Sequence, residues 1–310
     1  MIHTTLIALG GQTSSGKSEM AVNLAKELKD CWIINCDSRQ IYKYLNLGTG
    51  KVSGSWEMIV HNNQLIHTFL YQEIPHFFID CIDPTKQYSL TDFLADFCHF
   101  CQHHDLPNYL ILCGGTGLYI KAILERYTLN KLDEEFEDDY NQEKTKLSKK
   151  SLLDLQKLYS EYYPNQVLND SDFQNSRRLI NKLLTYKSNI NNWSKAIVLP
   201  MFTKTYNFAI ETDQKSLYER IEQRILKRIH EGMIKEVESL QFLGKDRLLD
   251  LGLEYRMTYL YLMGQLTYSE YINKLTTHSI NYAQRQLTWL KKQPIMWIDS
   301  AQDILNRLKD

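Results

Sequence analysis

The sequence predicts an α/β protein in which helices flank a parallel sheet, and three observations predict this class. Short apolar runs lie at residues 5–9, 32–36 and 109–113. Segments with the spacing of amphipathic helices separate them. Each run ends in a polar or glycine-rich turn. Because parallel strands need helical crossovers and bind ligands at their carboxyl ends, these turns are the expected place for a functional site.

The elements can be assigned in order along the chain. In that order they are a strand at 5–9, a helix at 19–28, a strand at 32–36, an apolar patch at 77–80, a helix at 90–104, a strand at 109–113 and, within a helical region that begins at 216, a strand at 295–298.

Two segments interrupt this core. Between 52 and 75, two apolar arms flank Asn62 and Asn63, which predicts a small β-hairpin. From 125 to 194 the composition becomes charged and helical, so we predict a helical insertion there. The core is therefore expected at 1–124 and 195–310.

The composition is that of an ordinary globular protein. The 310 residues include 36 Lys and Arg, 37 Asp and Glu, 43% hydrophobic and 24% charged residues, for a net charge of −1. This balance excludes a disordered or collagen-like chain, and the length allows about two domains. Any nucleic-acid binding must depend on a local basic surface, since the whole chain is almost neutral.

Two further features bear on the cellular compartment. The longest apolar runs fall short of the ~20 residues of a membrane helix, and residues 1–10 lack the basic region and cleavage site of a secretory signal. The six cysteines show no framework spacing. We expect reduced thiols, a cytoplasmic location and no membrane association.

A phosphate-binding loop follows the first strand. Residues 11–18 match G-x-x-x-x-G-K-S/T in full, directly between a strand and a helix. Glycines let successive N–H groups turn inward, and the next helix adds its positive end. Lys17 would contact a terminal phosphate, and Ser18 would bind Mg²⁺. The expected diphosphate-binding residues are Gly11, Gln12, Thr13, Ser14, Ser15, Gly16, Lys17 and Ser18.

The carboxylates near this loop are unusual for a nucleotide hydrolase. Such an enzyme needs a carboxylate at the end of a second strand to hold Mg²⁺. The strand at 109–113 ends in glycine-rich residues 114–117 instead. Asp37 does follow the strand at 32–36, where it could bind a metal, act as a base towards a second substrate, or cap a turn.

Four motifs in order resemble bacterial tRNA dimethylallyltransferases. They are residues 11–18 (GQTSSGKS), 37–42 (DSRQIY), 114–119 (GGTGLY) and 285–290 (RQLTWL). The resemblance covers nearly the whole chain. It implies a P-loop kinase-like fold with a helical insertion that contacts tRNA. It also implies that the P-loop holds diphosphate, and that dimethylallyl diphosphate donates its five-carbon group to the exocyclic amine of the adenosine just 3′ of the anticodon, in tRNAs reading codons that begin with U.

This chemistry suits the residues. The leaving diphosphate must be neutralised, the amine must be positioned and lose a proton, and water must be excluded. Lys17, with Mg²⁺ on Ser18, meets the first need, and the resemblance adds Arg220 and Arg224, which are four residues apart on one helix face. Asp37 is the expected general base, with Thr116 as its helper.

The target base must leave its stack in the RNA loop, which costs free energy. Contacts between the protein and the RNA phosphates are needed to supply that free energy. We expect a monomer with Mg²⁺, dimethylallyl diphosphate and the tRNA anticodon stem-loop as its ligands. The predicted tRNA-binding residues are Asp37, Ser38, Arg39, Gln40, Arg177, Arg178, Arg256, Arg285, Gln286 and Trp289.

The match is imperfect, and rival functions remain open. The family often carries Gly-Tyr-Lys or Gly-Tyr-Arg where this chain has Glu254, Tyr255 and Arg256, so a negative charge lies beside the expected RNA path. The first rival is the same transfer to a free adenine nucleotide, which the insertion and basic last helix disfavour. The others are a P-loop kinase of small molecules, which lacks its carboxylate here, and a non-catalytic tRNA-binding or nucleotide-switch protein.

Overall fold

The structure is a computed structural model that describes residues 2–309. It divides into two compact units, Met1–Tyr127 together with Leu199–Asp310, and Thr128–Val198. The division falls slightly later than the 125–194 expected for the insertion. Arg126 explains the first boundary, because its guanidinium donates to the Leu199 carbonyl within the larger unit.

Ten strands and thirteen α-helices make up the regular structure of the described residues. The strands are β1 (Ile2–Gly10), β2 (Cys31–Asn35), β3 (Ser55–His61), β4 (Gln64–Tyr71), β5 (Ile74–Phe77), β6 (Tyr109–Cys113), β7 (Asn130–Leu132), β8 (Ser194–Ala196), β9 (Phe202–Ile210) and β10 (Met296–Ile298). The helices are α1 (Lys17–Leu28), α2 (Leu90–His103), α3 (Gly117–Leu124), α4 (Glu137–Ser148), α5 (Leu152–Tyr162), α6 (Asp170–Phe173), α7 (Ser176–Ile190), α8 (Gln214–His230), α9 (Met233–Ser239), α10 (Lys245–Asp250), α11 (Leu253–Leu262), α12 (Tyr268–Leu290) and α13 (Ala301–Lys309).

Eight strands of the larger unit form one sheet. Their order is β10-β9-β1-β6-β2-β5-β4-β3. The six strands from β10 to β5 are parallel, and β4 and β3 add to the edge in antiparallel pairing. The predicted α/β class with a mostly parallel sheet between helices is therefore confirmed.

Both faces of the sheet are buried, as expected for parallel strands. On one face, Ile7 and Ile111 pack with Val22 of α1 and Ile304 of α13. Burying side chains of this size contributes about 1.5–3 kcal/mol each. Alternate strand residues point to the opposite face, where Leu6 is also fully buried. The glycine loop that joins β1 to α1 is thus anchored at both ends by the core.

Helix α2 begins where its sequence predicts. The Ser89 hydroxyl accepts the Asp92 backbone N–H at 3.2 Å, and the Asp92 carboxylate accepts the Ser89 N–H at 2.9 Å. This reciprocal capping satisfies two N–H groups that the first helical turn would otherwise leave unpaired. The helix then packs Phe93 against Tyr119 of α3, with ring centroids 4.4 Å apart.

A two-residue turn connects β3 to β4. His61 pairs with Gln64, and the intervening Asn62 and Asn63 have φ angles of 47° and 65°. Positive φ at both central residues defines a type I′ turn, which asparagine tolerates better than most residues. The Asn-Asn pair therefore sets the register of the antiparallel strands.

The sequence analysis marked only an apolar patch at 77–80 near β5, and it omitted another strand. The patch overlaps β5 only at Phe77, because Phe78 and Asp80 adopt left-handed φ angles of 60° and 52° that turn the chain after β5. Strand β9 was missed altogether. Only its last three residues are buried, so its first half lacks the apolar run that marks a core strand.

The smaller unit has its own core. Strands β7 and β8 pair antiparallel, and helices α4, α5 and α7 bury Leu147, Leu155, Tyr159, Leu179 and Leu183 together. No helix in the described part of either unit is long and apolar enough to span a membrane.

Candidate active site

The site lies at the carboxyl ends of β1, β2 and β6, where a cavity of about 750 Å³ opens within the larger unit. Residues from the turn after each of these strands line it, including Thr13, Asp37 and Thr116. Helices α8 and α12 contribute Arg224 and Gln286 to the same cavity. The parallel topology brings these turns together, since consecutive parallel strands end at the same edge of the sheet.

The loop at 11–18 has the backbone shape that anion binding requires. Ser14 and Gly16 have left-handed φ angles of 62° and 88°, and α1 begins directly at Lys17. The hydroxyl oxygens of Ser14 and Ser15 are buried and have no hydrogen-bond partner among the described residues. Buried polar atoms are normally satisfied, so these two hydroxyls and the helix terminus are arranged for an acceptor from outside the protein.

Lys17 lies inside this loop. Its amine donates to the Gln12 carbonyl at 3.1 Å. Burial lowers the pKa of Lys17, while the nearby Asp37 carboxylate acts in the opposite direction. A bound anion would favour the charged amine, because it would restore the favourable interactions that burial removes.

Arg224 of α8 reaches the loop from the other side. Its Nη2 donates to the Thr13 hydroxyl at 2.7 Å, while its buried Nε has no hydrogen-bond partner among the described residues. Burial, and then the charge of Arg228, lower the pKa of Arg224. The guanidinium is thus positioned beside the loop with one donor available for a ligand.

The expectation that Arg220 shares this role is not met by its position. Arg220 is exposed, lies outside the cavity lining and donates to the Ser216 carbonyl of its own helix. Arg228, one turn after Arg224, lines the cavity instead. Four-residue spacing relates Arg224 equally to both neighbours, so spacing alone does not distinguish them.

Gln12 and Gln286 attach the loop to the helical layer. The Gln12 amide donates to the Ala283 carbonyl at 3.0 Å and accepts from the Gln214 amide at 2.9 Å. Gln286 accepts the Thr13 backbone N–H at 2.7 Å and donates to the Gly115 carbonyl at 3.0 Å. One side chain therefore bridges the phosphate loop and the turn after β6.

The turn after β6 also contacts the Asp37 carboxylate. One carboxylate oxygen accepts the backbone N–H groups of Arg39 and Gln40 at 2.9 and 3.3 Å, and the other accepts the Gly115 N–H at 3.3 Å. The carboxylate faces the cavity with its orientation set by three backbone donors. Because these oxygens only accept hydrogen bonds, they can also accept one from a donor group of a substrate.

Thr116 does not contact Asp37 directly. Its hydroxyl accepts the Ser38 N–H at 3.0 Å and donates to the Ser38 hydroxyl at 3.2 Å. Thr116 therefore holds the backbone of the Asp37 turn, while Gly115 supplies the hydrogen bond to the carboxylate. The structure thus places Thr116 beside Ser38, one residue after Asp37.

The predicted RNA-binding residues separate into groups. Those that line the cavity are Asp37, Ser38, Arg39, Arg285, Gln286 and Trp289. Gln40 instead donates to the carbonyls of Thr49 and Gly50, which holds a neighbouring loop. Arg256 is outside the cavity lining and donates to the Leu249 carbonyl. Arg177 and Arg178 belong to the smaller unit, where Arg178 pairs with Asp172.

Arg228 and Tyr282 are among the cavity residues that the sequence analysis missed. The Tyr282 hydroxyl donates to the Gly115 carbonyl at 3.4 Å, and burial raises its pKa to about 12. The guanidinium of Arg285 lies over its ring, 5.8 Å from the centroid. Tyr282 precedes the 285–290 motif by one helical turn, and that spacing on α12 was the available signal.

The fold and the site together define the class of the protein. It is a P-loop protein in which the phosphate-binding loop faces a carboxylate, and glycines occupy the position where hydrolases have their metal-binding acid. Comparison with known proteins identifies the family. The family model described as IPP transferase matches residues 40–293. The chain belongs to the IPP transferase family.

Individual relatives agree over their full length. The chain is 33% identical to tRNA dimethylallyltransferase 2 of Shewanella sediminis over 98% of this chain and 96% of that one. It is 34% identical to tRNA dimethylallyltransferase 1 of Azobacteroides pseudotrichonymphae over 98% and 97%. Among solved structures, it is similar to the full-length tRNA isopentenylpyrophosphate transferase of Bacillus halodurans, with 25% identity, a TM-score of 0.64 and coverage of 99% and 96%.

Replacing Gly114 with alanine tests the position of Asp37. The added Cβ would overlap with the Cys36 carbonyl and lie 2.6 Å from the Asp37 nitrogen, so the Asp37 turn must shift. A displacement of about 1 Å costs roughly 100-fold in rate. We expect Gly114→Ala to lower transferase turnover by about that factor, measured at saturating substrates. Gly264→Ala is the control, because nothing lies within 4 Å of an added Cβ there. Its φ of 68° strains the alanine backbone, but at a position outside the cavity lining. Equal turnover in the two variants would contradict this assignment.

Replacing Gln286 with alanine tests the bridge between the two turns. The variant leaves the Thr13 N–H without its partner and removes one of the two donors to the Gly115 carbonyl, which keeps the Tyr282 hydroxyl. We expect inorganic diphosphate to bind about 10-fold more weakly by calorimetry, since the loop loses a defined position. Gln284→Ala is the matched control on the same helix, where the amide contacts only the Tyr218 hydroxyl on the surface. Unchanged diphosphate affinity in Gln286→Ala would show that the loop holds its shape without the bridge.

Proposed function

We propose that this protein transfers a dimethylallyl group from dimethylallyl diphosphate to the exocyclic amine of the adenosine 3′-adjacent to the anticodon, in tRNAs that read codons beginning with U. The observation that carries the proposal is that a phosphate loop and an oriented carboxylate line one cavity, joined through Gln286 and Gly115. The names of the full-length relatives support the same substrates.

The loop would bind the leaving diphosphate. Its inward N–H groups, Lys17 and the Thr13 hydroxyl with Arg224 supply donors and positive charge where negative charge develops on the departing oxygen. Preorganised groups of this kind usually make the largest single contribution to an enzyme's rate enhancement. The other residues of the loop at 11–18 would hold the diphosphate by backbone contacts.

Mg²⁺ fits this site as a partner of the substrate. The described residues contain no group of three His, Cys, Asp or Glu side chains able to hold a metal. Mg²⁺ commonly takes only one or two protein ligands and completes its shell with substrate phosphates and water. We propose Ser18 as the protein ligand. When bound, the ion would neutralise charge on the diphosphate.

Asp37 would accept the proton of the amine. As the nitrogen forms its bond to the allylic carbon, the carbon–oxygen bond to diphosphate breaks and its electron pair leaves with diphosphate. The amine proton then passes to a free lone pair of the Asp37 carboxylate, which Arg39, Gln40 and Gly115 keep oriented. Thr116 would contribute by holding Ser38 and thus the turn.

The RNA would reach this cavity with its target base out of the stack, which costs a few kcal/mol. Arg39 and Arg285 are cations at the cavity, and Trp289 offers a stacking surface. Trp289 packs against Gly117, where an added Cβ would overlap with its ring. We propose that Arg177, Arg178 and the rest of the insertion contact the anticodon stem, and that Ser38, Gln40, Arg256 and Gln286 act at the core side.

The protein is proposed to act as a monomer in the cytoplasm. Cys31, Cys36, Cys81, Cys101 and Cys113 are free thiols, which supports a reducing compartment.

The proposal is tested by incubating the protein with labelled dimethylallyl diphosphate and three acceptors in parallel: an anticodon stem-loop RNA, AMP, and no acceptor. We expect label in the RNA alone, with stoichiometric release of diphosphate. Label in AMP would favour the free-nucleotide transferase. Consumption of ATP in a fourth reaction, with no labelled RNA, would favour a kinase.

Replacing Asp37 with asparagine tests the proposed base. The side chain keeps its shape and an oxygen for the Arg39 and Gln40 N–H groups, but it loses basicity. We expect turnover to fall by about 10²–10⁴-fold while diphosphate affinity stays unchanged. Asp83→Asn is the control, because Asp83 is exposed, lies outside the cavity and binds the Thr85 N–H in a turn. Near wild-type turnover of Asp37→Asn would remove Asp37 from the mechanism.

A further inference from the structure

Arg228 is a charged residue of the cavity for which the transfer mechanism provides no role. It lies on α8, one helical turn beyond Arg224, and its side chain is only 10% exposed. Its position places it against the loop that contains Gly48 and Gly50 rather than against the phosphate loop. A buried guanidinium at the wall of a substrate cavity requires either partners or a ligand.

The partners of Arg228 within the protein are few and distant. Its Nη1 donates to the Gly48 carbonyl at 3.4 Å and lies 3.6 Å from a carboxylate oxygen of Glu254. Both contacts are long for charge-assisted hydrogen bonds, and both use the same nitrogen. A guanidinium carries five N–H donors, so the described contacts leave most of them available.

Space for the rest of the guanidinium is provided by Gly50. A Cβ at this position would overlap with Nη2 of Arg228 and lie 2.7 Å from its Cζ. Gly50 also has a φ of 64°, which favours glycine there. The loop is therefore shaped to admit this side chain.

The charges that line the cavity are not balanced. Its lining includes the cations Arg39, Lys121, Arg224, Arg228 and Arg285 against the carboxylates Asp37, Glu125 and Glu254. Arg224 and Arg228 lie four residues apart on one helix face, and the charge of Arg228 lowers the pKa of Arg224, so the two guanidinium groups repel each other. An anion bound between or beside them would relieve this repulsion.

We propose that Arg228 is a second phosphate-binding arginine of this cavity, held ready by Glu254. A guanidinium can bind two phosphate oxygens at once through its free edge, which a lysine would not reproduce. The phosphate belongs either to the donor diphosphate or to the backbone of the acceptor RNA. The loop at Gly48–Gly50 continues from the Asp37 turn and is tied to it by Gln40, which favours the RNA backbone.

The structure also explains the presence of Glu254 near the cavity. In sequence it added a negative charge beside the expected RNA path. In the structure it lies beside Arg228 and would keep the guanidinium in place when no phosphate is bound. The ion pair therefore accounts for an acidic residue beside the expected RNA path.

The test uses the full-length protein and two probes, inorganic diphosphate and an unmodified anticodon stem-loop RNA. The variants are Arg228→Met, Arg228→Lys and the double variant Arg228→Met with Glu254→Gln. Lys227→Met is the matched control, because Lys227 is exposed on the same helix and pairs only with Glu231 one turn away. Calorimetry measures diphosphate binding, and fluorescence anisotropy measures RNA binding at several salt concentrations.

We expect Arg228→Met to weaken one of the probes about 10- to 100-fold, Arg228→Lys to recover only part of that loss, and Lys227→Met to change neither. A weaker diphosphate complex identifies the donor as the source. A weaker RNA complex with unchanged diphosphate binding identifies the RNA backbone. In that case the slope of log affinity against log salt decreases by roughly 0.7–0.9, as for one lost phosphate contact.

Two results would overturn the proposal. One is unchanged binding of both probes in Arg228→Met. The other is full recovery in the double variant, because the loss would then come from the unpaired Glu254 carboxylate and not from a missing phosphate contact. The RNA measurement rests on the proposed function, but the diphosphate measurement does not. Failure of wild-type protein to modify RNA would therefore reject the function, while the diphosphate arm would still decide the role of Arg228.

Discussion

The site depends on one amide side chain. Gln286 of α12 accepts the Thr13 N–H from the phosphate loop and donates to the Gly115 carbonyl, and the Gly115 N–H in turn holds the Asp37 carboxylate. Three turns that follow three different strands are thereby fixed relative to one another. A transfer reaction requires this, because the donor atom and the accepting group must approach to within contact distance.

The turn after β6 has glycines at the position where an acidic side chain would be expected, so only backbone groups are present there. A hydrolase of this fold class would place a metal-binding carboxylate at the end of that strand. Here Gly114 lies so close to the Cys36 carbonyl that no side chain fits, and Gly115 directs its N–H towards Asp37. The acidic group at the site belongs to the neighbouring strand instead. The same sheet edge that serves hydrolysis elsewhere is thus arranged to orient an acceptor group.

Much of the fold could be predicted because its signals are local. The apolar runs in β1, β2 and β6, the glycine loop and the caps of α2 each lie within a few consecutive residues. Strand β9 could not be predicted this way, because six of its nine residues are not buried and its place in the sheet comes from pairing with β1. The end of β5 at Phe77 could not be predicted either. It depends on the left-handed conformations of Phe78 and Asp80, which have no strong sequence signal.

By itself, the sequence determined the phosphate loop, the acidic turn at Asp37 and the family resemblance, since each is carried by a short continuous motif. Only the tertiary structure decided which arginine of α8 reaches the cavity, that Arg220 does not, and that Gly115 rather than Thr116 contacts the carboxylate. The physical reason is that these contacts join residues far apart in the chain. Helical spacing makes Arg220, Arg224 and Arg228 equivalent, and only the packing of α8 against the sheet makes them different.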